Sequence, residues 1–236
     1  MALSVITHVA LIGAATAATL KFPPAPPTGG VVVSQAQPAS PAKFEAPPQA
    51  TVQKGYASVL WTAHDDNDDD LRYAVYFRGE GEKDWKLLKD SLDQRFYSFD
   101  TTTMADGAYY LKIVATDSTS NPPDKALKAE RESERFEVDN TPPTISKVEA
   151  AATNSSAQIK FAVNDATSSI ERAQYSIDGG EWTLVAPSSG ISDGKQQSYE
   201  FVLHDLKPGE HTIAIRAYDR FENVGSGKAV ISVAAQ

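Results

Sequence analysis

In the stretch WTAHDDNDDDLRYAVYF, residues 61–77, five aspartates and an asparagine stand between two runs that alternate apolar and polar residues. Carboxylates at this density are hard oxygen ligands, and calcium is the ion they suit. Asp65, Asn67 and Asp69 occupy alternate positions, as in the first half of an EF-hand loop. The rest of that motif is missing. Asp70 stands where the sharp turn needs glycine, and Tyr76 where the bidentate glutamate belongs. The spacing therefore excludes an EF-hand and leaves two readings open, a looser calcium cage or a solvated turn. The solvated turn is the expectation.

Other chemistry is sparse. Gly190–Gly194, GISDG, fits the hydrolase pattern G-x-S-x-G, but that pattern needs a strand–turn–helix elbow and Ser192 lies in a polar loop. The four histidines, at 8, 64, 204 and 211, make no zinc-binding spacing. There is no cysteine, which removes disulfides, thiolate metal sites and cysteine nucleophiles together. The net charge of −9 disfavours nucleic acid and suits divalent cations or basic partners. It is uneven: residues 44–140 carry 20 acids and 12 bases, residues 141–236 carry 11 and 8. No enzyme signature emerges, and no cofactor beyond calcium is implied.

The elements that must position these residues come in two copies. YASVLWTAHD, LRYAVYFRGEGEKDWKLL, RFYSFD and DGAYYLKIVATDSTSN make the first. SAQIKFAVND, ERAQYSIDGGEWTLV, QSYEFVL and PGEHTIAIRAYDRFEN make the second. Each run alternates as a half-buried antiparallel strand does. Tyr109, Leu111, Ile113 and Ala115 are the expected inward set of one long strand, and His211, Ile213, Ile215 and Ala217 of the other. Asp178-Gly179-Gly180, Asp106-Gly107 and Pro208-Gly209 are turn signals. Short strands at regular spacing with turns between them predict an all-β chain of two tandem antiparallel sandwiches, residues 44–140 and 141–236.

Residues 1–43 read as an apolar segment followed by a proline-rich linker. The apolar run up to Leu20 is too short for a comfortable membrane span, so no transmembrane segment is expected. Ala15-Thr16-Ala17 resembles a signal cleavage site, but no basic residue precedes the run. A signal peptide, a leftover strand and a strand donated to a neighbour all remain open.

Both copies resemble fibronectin type III or bacterial immunoglobulin-like modules, over about residues 50–236. Trp61 matches that family's buried tryptophan, LRYAVYFR its third strand, and Tyr109 its corner tyrosine; the second copy has Phe161 and His211 instead. ATDSTSN, AYDRFEN and the intervening VDNTPPTI resemble tandem modules of bacterial surface and secreted proteins. The arrangement is similar to the region that follows β-propeller repeats in large bacterial exported proteins.

The resemblance implies an extracytoplasmic, non-catalytic spacer, adhesion or protein-interaction segment that meets a protein or polysaccharide surface, as one part of a longer chain or through self-assembly. The alternatives are a carbohydrate- or peptide-binding accessory module of an exported hydrolase, using rings such as Tyr218 and Phe221, and a subunit that assembles by strand addition. Trp85 and Trp182 occupy equivalent places, which favours packing over sugar stacking.

Sandwich topology also places Asp117 near the Asp65–Asp70 loop. VDNTPPT resembles the linkers at which cadherin-like modules share calcium, with Asp139, Asn140, Asp165, Asp219 and Asn223 converging there. The simpler expectation is that Pro142-Pro143 alone stiffens the joint.

Overall fold

A computed structural model describes residues 5–12, 18–21 and 49–234. The proline-rich linker and Ala15-Thr16-Ala17 lie outside those residues. The strands are β1 (Val5–Ile12), β2 (Ala18–Lys21), β3 (Gln49–Val52), β4 (Tyr56–His64), β5 (Arg72–Gly79), β6 (Lys86–Leu92), β7 (Phe96–Asp100), β8 (Gly107–Thr116), β9 (Lys128–Glu132) and β10 (Phe136–Val138). After these come β11 (Thr144–Thr153), β12 (Ser156–Asn164), β13 (Ile170–Ile177), β14 (Thr183–Val185), β15 (Gln196–Leu203), β16 (Gly209–Asp219) and β17 (Val224–Val233). One short 3-10 turn, Thr101–Thr103, follows β7.

The two modules share one plan. In the first, a sheet ordered β1-β4-β7 faces one ordered β10-β8-β5-β6, with β9 also on β8. In the second, β11-β12-β15 faces β14-β13-β16-β17. All pairings are antiparallel. The apolar N-terminal run is therefore a strand within its own chain: β1 pairs with β4, from Val5 opposite His64 to Ile12 opposite Ser58. It occupies the sheet position that β11 holds beside β12 in the second module.

Alternation explains the cores. Along β4 the inward residues Val59, Trp61 and Ala63 are buried, and along β8 Leu111, Ile113 and Ala115 are fully buried. The second core is built the same way from Ile159, Phe161 and Val163 facing Ile213, Ile215 and Ala217. Trp61 packs edge-on against Tyr73 with ring centroids 5.3 Å apart. Phe161, its counterpart, stacks on Tyr199 at 4.8 Å.

The corner residues show how one sandwich position accepts two side chains. Tyr109 is half-buried rather than a full core residue, because its hydroxyl reaches back to donate to the carbonyl of Ala105 at 2.8 Å. His211 reaches back by the same four residues: its Nε2 lies 2.7 Å from the carbonyl oxygen of Lys207. The imidazole thus reproduces the tyrosine's bond, and its Nδ1 adds a contact to Asp178 Oδ2, also at 2.7 Å. Asp178 is set for this by the tight turn, where it and Gly179 both take positive φ.

Register also fixes what meets at each end. Thr144 opposes Asn164, so Asp165 leaves β12 where the chain enters β11 from the first module. Ile170 opposes Asp219, which brings the end of β16 to the same place. In the first module the corresponding end carries Asp65 and Asp117, beside the start of β1 and away from the joint.

Candidate metal centre at the module joint

Each module buries an aspartate just after β4 or β12 and another at the end of its long β8 or β16 strand. Asp65 and Asp117 are 4% and 2% exposed, and Asp165 and Asp219 are 4% and 0% exposed. The expectation of a solvated turn at Asp65–Asp70 is therefore corrected for its first residue. Asp66, Asn67, Asp68 and Asp70 do face solvent. Asp65 instead turns inward, because its Oδ1 accepts the backbone N–H groups of Asn67 and Asp69 at 2.9 and 3.4 Å. An aspartate that closes a turn on its own backbone in this way is drawn beneath the loop it begins.

Two carboxylate triads result. Asp65, Asp69 and Asp117 bring one oxygen each to within 4.8 Å of one another, and so do Asp139, Asp165 and Asp219. In the first triad Asp69 is only half-buried and its Oδ2 takes the amide of Asn121 at 2.9 Å. Asp117 Oδ1 accepts from Leu127 N at 2.7 Å. Asn67 contributes its backbone N–H to Asp65 while its side chain lies in the exposed part of the loop.

The second triad sits at the joint and is buried throughout, Asp139 being 4% exposed. Asp139 Oδ1 caps Thr141 N at 3.1 Å, and Asp165 Oδ1 caps Thr167 N and Ser168 N at 2.8 and 2.7 Å. Asp219 Oδ1 accepts from Phe221 N and Asn223 N, both at 2.8 Å. Burial raises the carboxyl pKa of Asp139 and of Asp219, and the Asp165 charge raises both further.

The two asparagines named with this triad act as struts. Asn223 Nδ2 donates to Asp219 Oδ2 at 2.8 Å and to the Asp139 carbonyl at 2.9 Å, joining one module to the other. Asn140 is tied to the first module, its Nδ2 donating to the carbonyls of Thr101 and Met104, each at 3.1 Å. Its backbone N–H reaches Asp106 Oδ1 at 2.7 Å. Arg220, one residue beyond Asp219, pairs with Glu137 of the first module. Arg172 grips Glu222 with two parallel bonds, at 2.8 and 2.6 Å.

One determinant of the joint has no charge. A Cβ on Gly225 would lie 1.8 Å from the Pro143 carbonyl oxygen, so only glycine lets β17 pass this close to the linker. The proline pair and this glycine act together, and glycine within a strand was the available signal.

Ser192 and the aromatic candidates are engaged within their own modules. Ser192 Oγ donates to the carbonyl of Ile170 at 2.7 Å and sits in a loop. Trp85 lies under the Arg78 guanidinium at 4.5 Å, and Trp182 under Arg216 at 4.0 Å, so one face of each ring already carries a cation. Tyr218 is likewise covered by Arg172 at 3.9 Å, and Phe221 by Arg220 at 5.1 Å. These ring–cation pairs pack the long basic side chains against the aromatic rings. No helix among the described residues is long and apolar enough to cross a membrane.

No protein-family model matches the chain, and no curated protein does. Solved structures resemble it at low identity. The fibronectin(III)-like modules of Clostridium thermocellum CbhA are 19% identical, with a TM-score of 0.38 over 77% of this chain and 86% of that one. The chicken CNTN1 FN1-FN3 domains are 16% identical with a TM-score of 0.38, over 77% of this chain and 63% of theirs. A two-module fibronectin type III segment of chicken tenascin is 16% identical with a TM-score of 0.32, over 76% of this chain and 93% of that segment. Sheet order, register and the two filled cores define the fold, and in fold the chain is a tandem pair of antiparallel β-sandwiches similar to fibronectin type III modules.

Proposed function

We propose that the chain is a non-catalytic, extracytoplasmic tandem module that acts as a spacer, adhesion or protein-interaction segment and meets a protein or polysaccharide surface. The joint carries this reading. Only residues 139–143 separate β10 from β11, and two of them are prolines. That short link is held from both sides, through Asn140 to Thr101 and Met104, and through Asn223 to the Asp139 carbonyl. The Glu137–Arg220 pair spans it on the surface. A link tied in this manner sets one sandwich at a fixed angle to the next, which is what a spacer needs. The non-catalytic reading is supported by Ser192, whose Oγ is taken up by the Ile170 carbonyl. The extracytoplasmic setting is supported by the likeness of VDNTPPTI and its flanking loops to bacterial surface modules.

Small-angle scattering of the 236-residue chain tests the spacer reading. A single elongated particle with one dominant inter-module separation is expected for residues 49–234. A broad ensemble of separations would overturn it. Protease treatment of intact cells making the protein tests location, and protection from the protease until the cells are lysed would count against a surface role.

A further inference from the structure

Capping explains only part of the joint triad. Asp139 and Asp165 each use Oδ1 on backbone N–H groups, and in each the other oxygen, Oδ2, is buried with no hydrogen-bond partner. Both side chains belong to residues 4% exposed, in a group whose carboxylate oxygens come within 4.8 Å of one another. Ser168, 2% exposed, adds a third buried oxygen with no hydrogen-bond partner. Among the described residues no lysine, arginine or histidine forms an ion pair with any of the three aspartates; Arg220 pairs with Glu137 instead. Buried carboxylate oxygens are costly unless paired or bound to a metal.

We infer that the joint is a divalent-cation site, suited to calcium, in which Asp139 of the first module and Asp165 and Asp219 of the second supply the carboxylate oxygens. The ion goes where turn chemistry leaves oxygens over. It also goes beyond the spacer reading, because it makes the joint conditional on a cation. Ligand chemistry favours calcium: magnesium demands near-ideal octahedral geometry and gives up its waters reluctantly, whereas these carboxylates are fixed in place by their backbone caps. Calcium also tolerates the irregular set available here, with the Ser168 hydroxyl and water completing about six to eight oxygens. Asp219 remains a ligand although both its oxygens accept hydrogen bonds, since each carboxylate oxygen offers a second lone pair. Because the ligands come from both modules, binding draws the two sandwiches together.

The Asp65, Asp69, Asp117 triad is the internal contrast. Asp69 is half-buried, its Oδ2 is satisfied by Asn121, and none of the three has an orphaned buried oxygen. The proposal does not extend to it.

The test is calorimetric titration of the EDTA-stripped full chain with calcium chloride and with magnesium chloride at fixed ionic strength, paired with thermal unfolding. Asp139→Asn with Asp219→Asn removes charge from the triad and keeps an oxygen for each cap. Asp165→Asn alone serves if the double variant fails to fold by circular dichroism. Asp65→Asn with Asp69→Asn is the control. The expected result is a calcium-binding event of one ion per chain, at least tenfold tighter than magnesium binding, lost in the joint variants and kept in the control. At roughly a hundredfold excess of calcium over Kd, the Tm of the wild type should rise by about ten degrees or more. No calcium heat, an equal response to magnesium, or calcium binding that survives in the joint variants would overturn the site. With the scattering recorded both in calcium and in EDTA, one fixed separation in both keeps the spacer reading while the site fails, and a broad ensemble in both overturns the spacer reading, so the two fail separately.

Discussion

Replacing Trp61 measures how the first core is built. The ring is 1% exposed, lies edge-on to Tyr73 and faces the opposite sheet. Truncating a buried aromatic to alanine costs about 3–5 kcal/mol. The edge-to-face contact accounts for about 0.5–1.5 kcal/mol of that. An opposing effect is visible: Trp61 Nε1 is buried with no hydrogen-bond partner among the described residues. Deleting an unsatisfied buried donor returns about 1–3 kcal/mol. Trp61→Ala should therefore fall at the low end, near 3 kcal/mol. Trp61→Phe, which keeps most of the ring and removes the N–H, should cost less than about 1.5 kcal/mol. Phe161 at the matching strand position shows that a phenyl suits this site in the plan.

Urea unfolding followed by far-UV circular dichroism provides the readout. For a slope of about 1–3 kcal/mol per molar urea, the alanine variant should move the first module's midpoint down by about 1–3 M. The second module's transition should stay in place. A shift below about 0.5 M in Trp61→Ala would contradict the burial. A phenylalanine variant as damaged as the alanine one would refute the orphaned-donor argument.

Gly225→Ala should cost more than about 2 kcal/mol through its clash with the Pro143 carbonyl, read as a lowered second transition in the same titration. A neutral outcome would show that the linker does not pass where Gly225 requires. The His211–Asp178 contact predicts a pH window. The Lys207 carbonyl and Asp178 raise the histidine's pKa, and the histidine and Thr212 N lower that of Asp178. The histidine's contribution is complete below about pH 6.5 and fades as pH rises through its higher folded value. The aspartate's is complete above about pH 3.9 and fades as pH falls through its lower folded value. The stability of wild type relative to Asp178→Asn should thus be largest between about pH 4 and 6.5 and shrink on both sides; a flat profile would contradict the pairing.

The parts of the molecule that repeat at short range were legible in the sequence. Period-two alternation named Leu111, Ile113 and Ala115 and their counterparts Ile213, Ile215 and Ala217, because burial on one sheet face leaves no other arrangement. The burial of Asp65 was not legible, since a run of aspartates looks alike whether one of them folds under to cap its neighbours or all face water. The cis pairing of β1 with β4 joins residues about fifty apart in sequence, and an apolar run carries no mark of which edge it will choose. The exchange of Tyr109 for His211 looked like a departure from the plan, yet both side chains bond the carbonyl four residues back. Convergence of Asp139, Asp165 and Asp219 followed from topology, while the unpartnered oxygens that distinguish this triad from the other needed side-chain geometry.

The claim that a cation at Asp139, Asp165 and Asp219 locks one sandwich to the next is tested most directly by backbone 15N relaxation of the full chain. With calcium, residues of both modules should report a single rotational correlation time suited to a 25.4 kDa body. In EDTA the two sets should separate toward shorter values as the joint loosens. Correlation times that are unchanged between calcium and EDTA, or two separate values even in calcium, would contradict it.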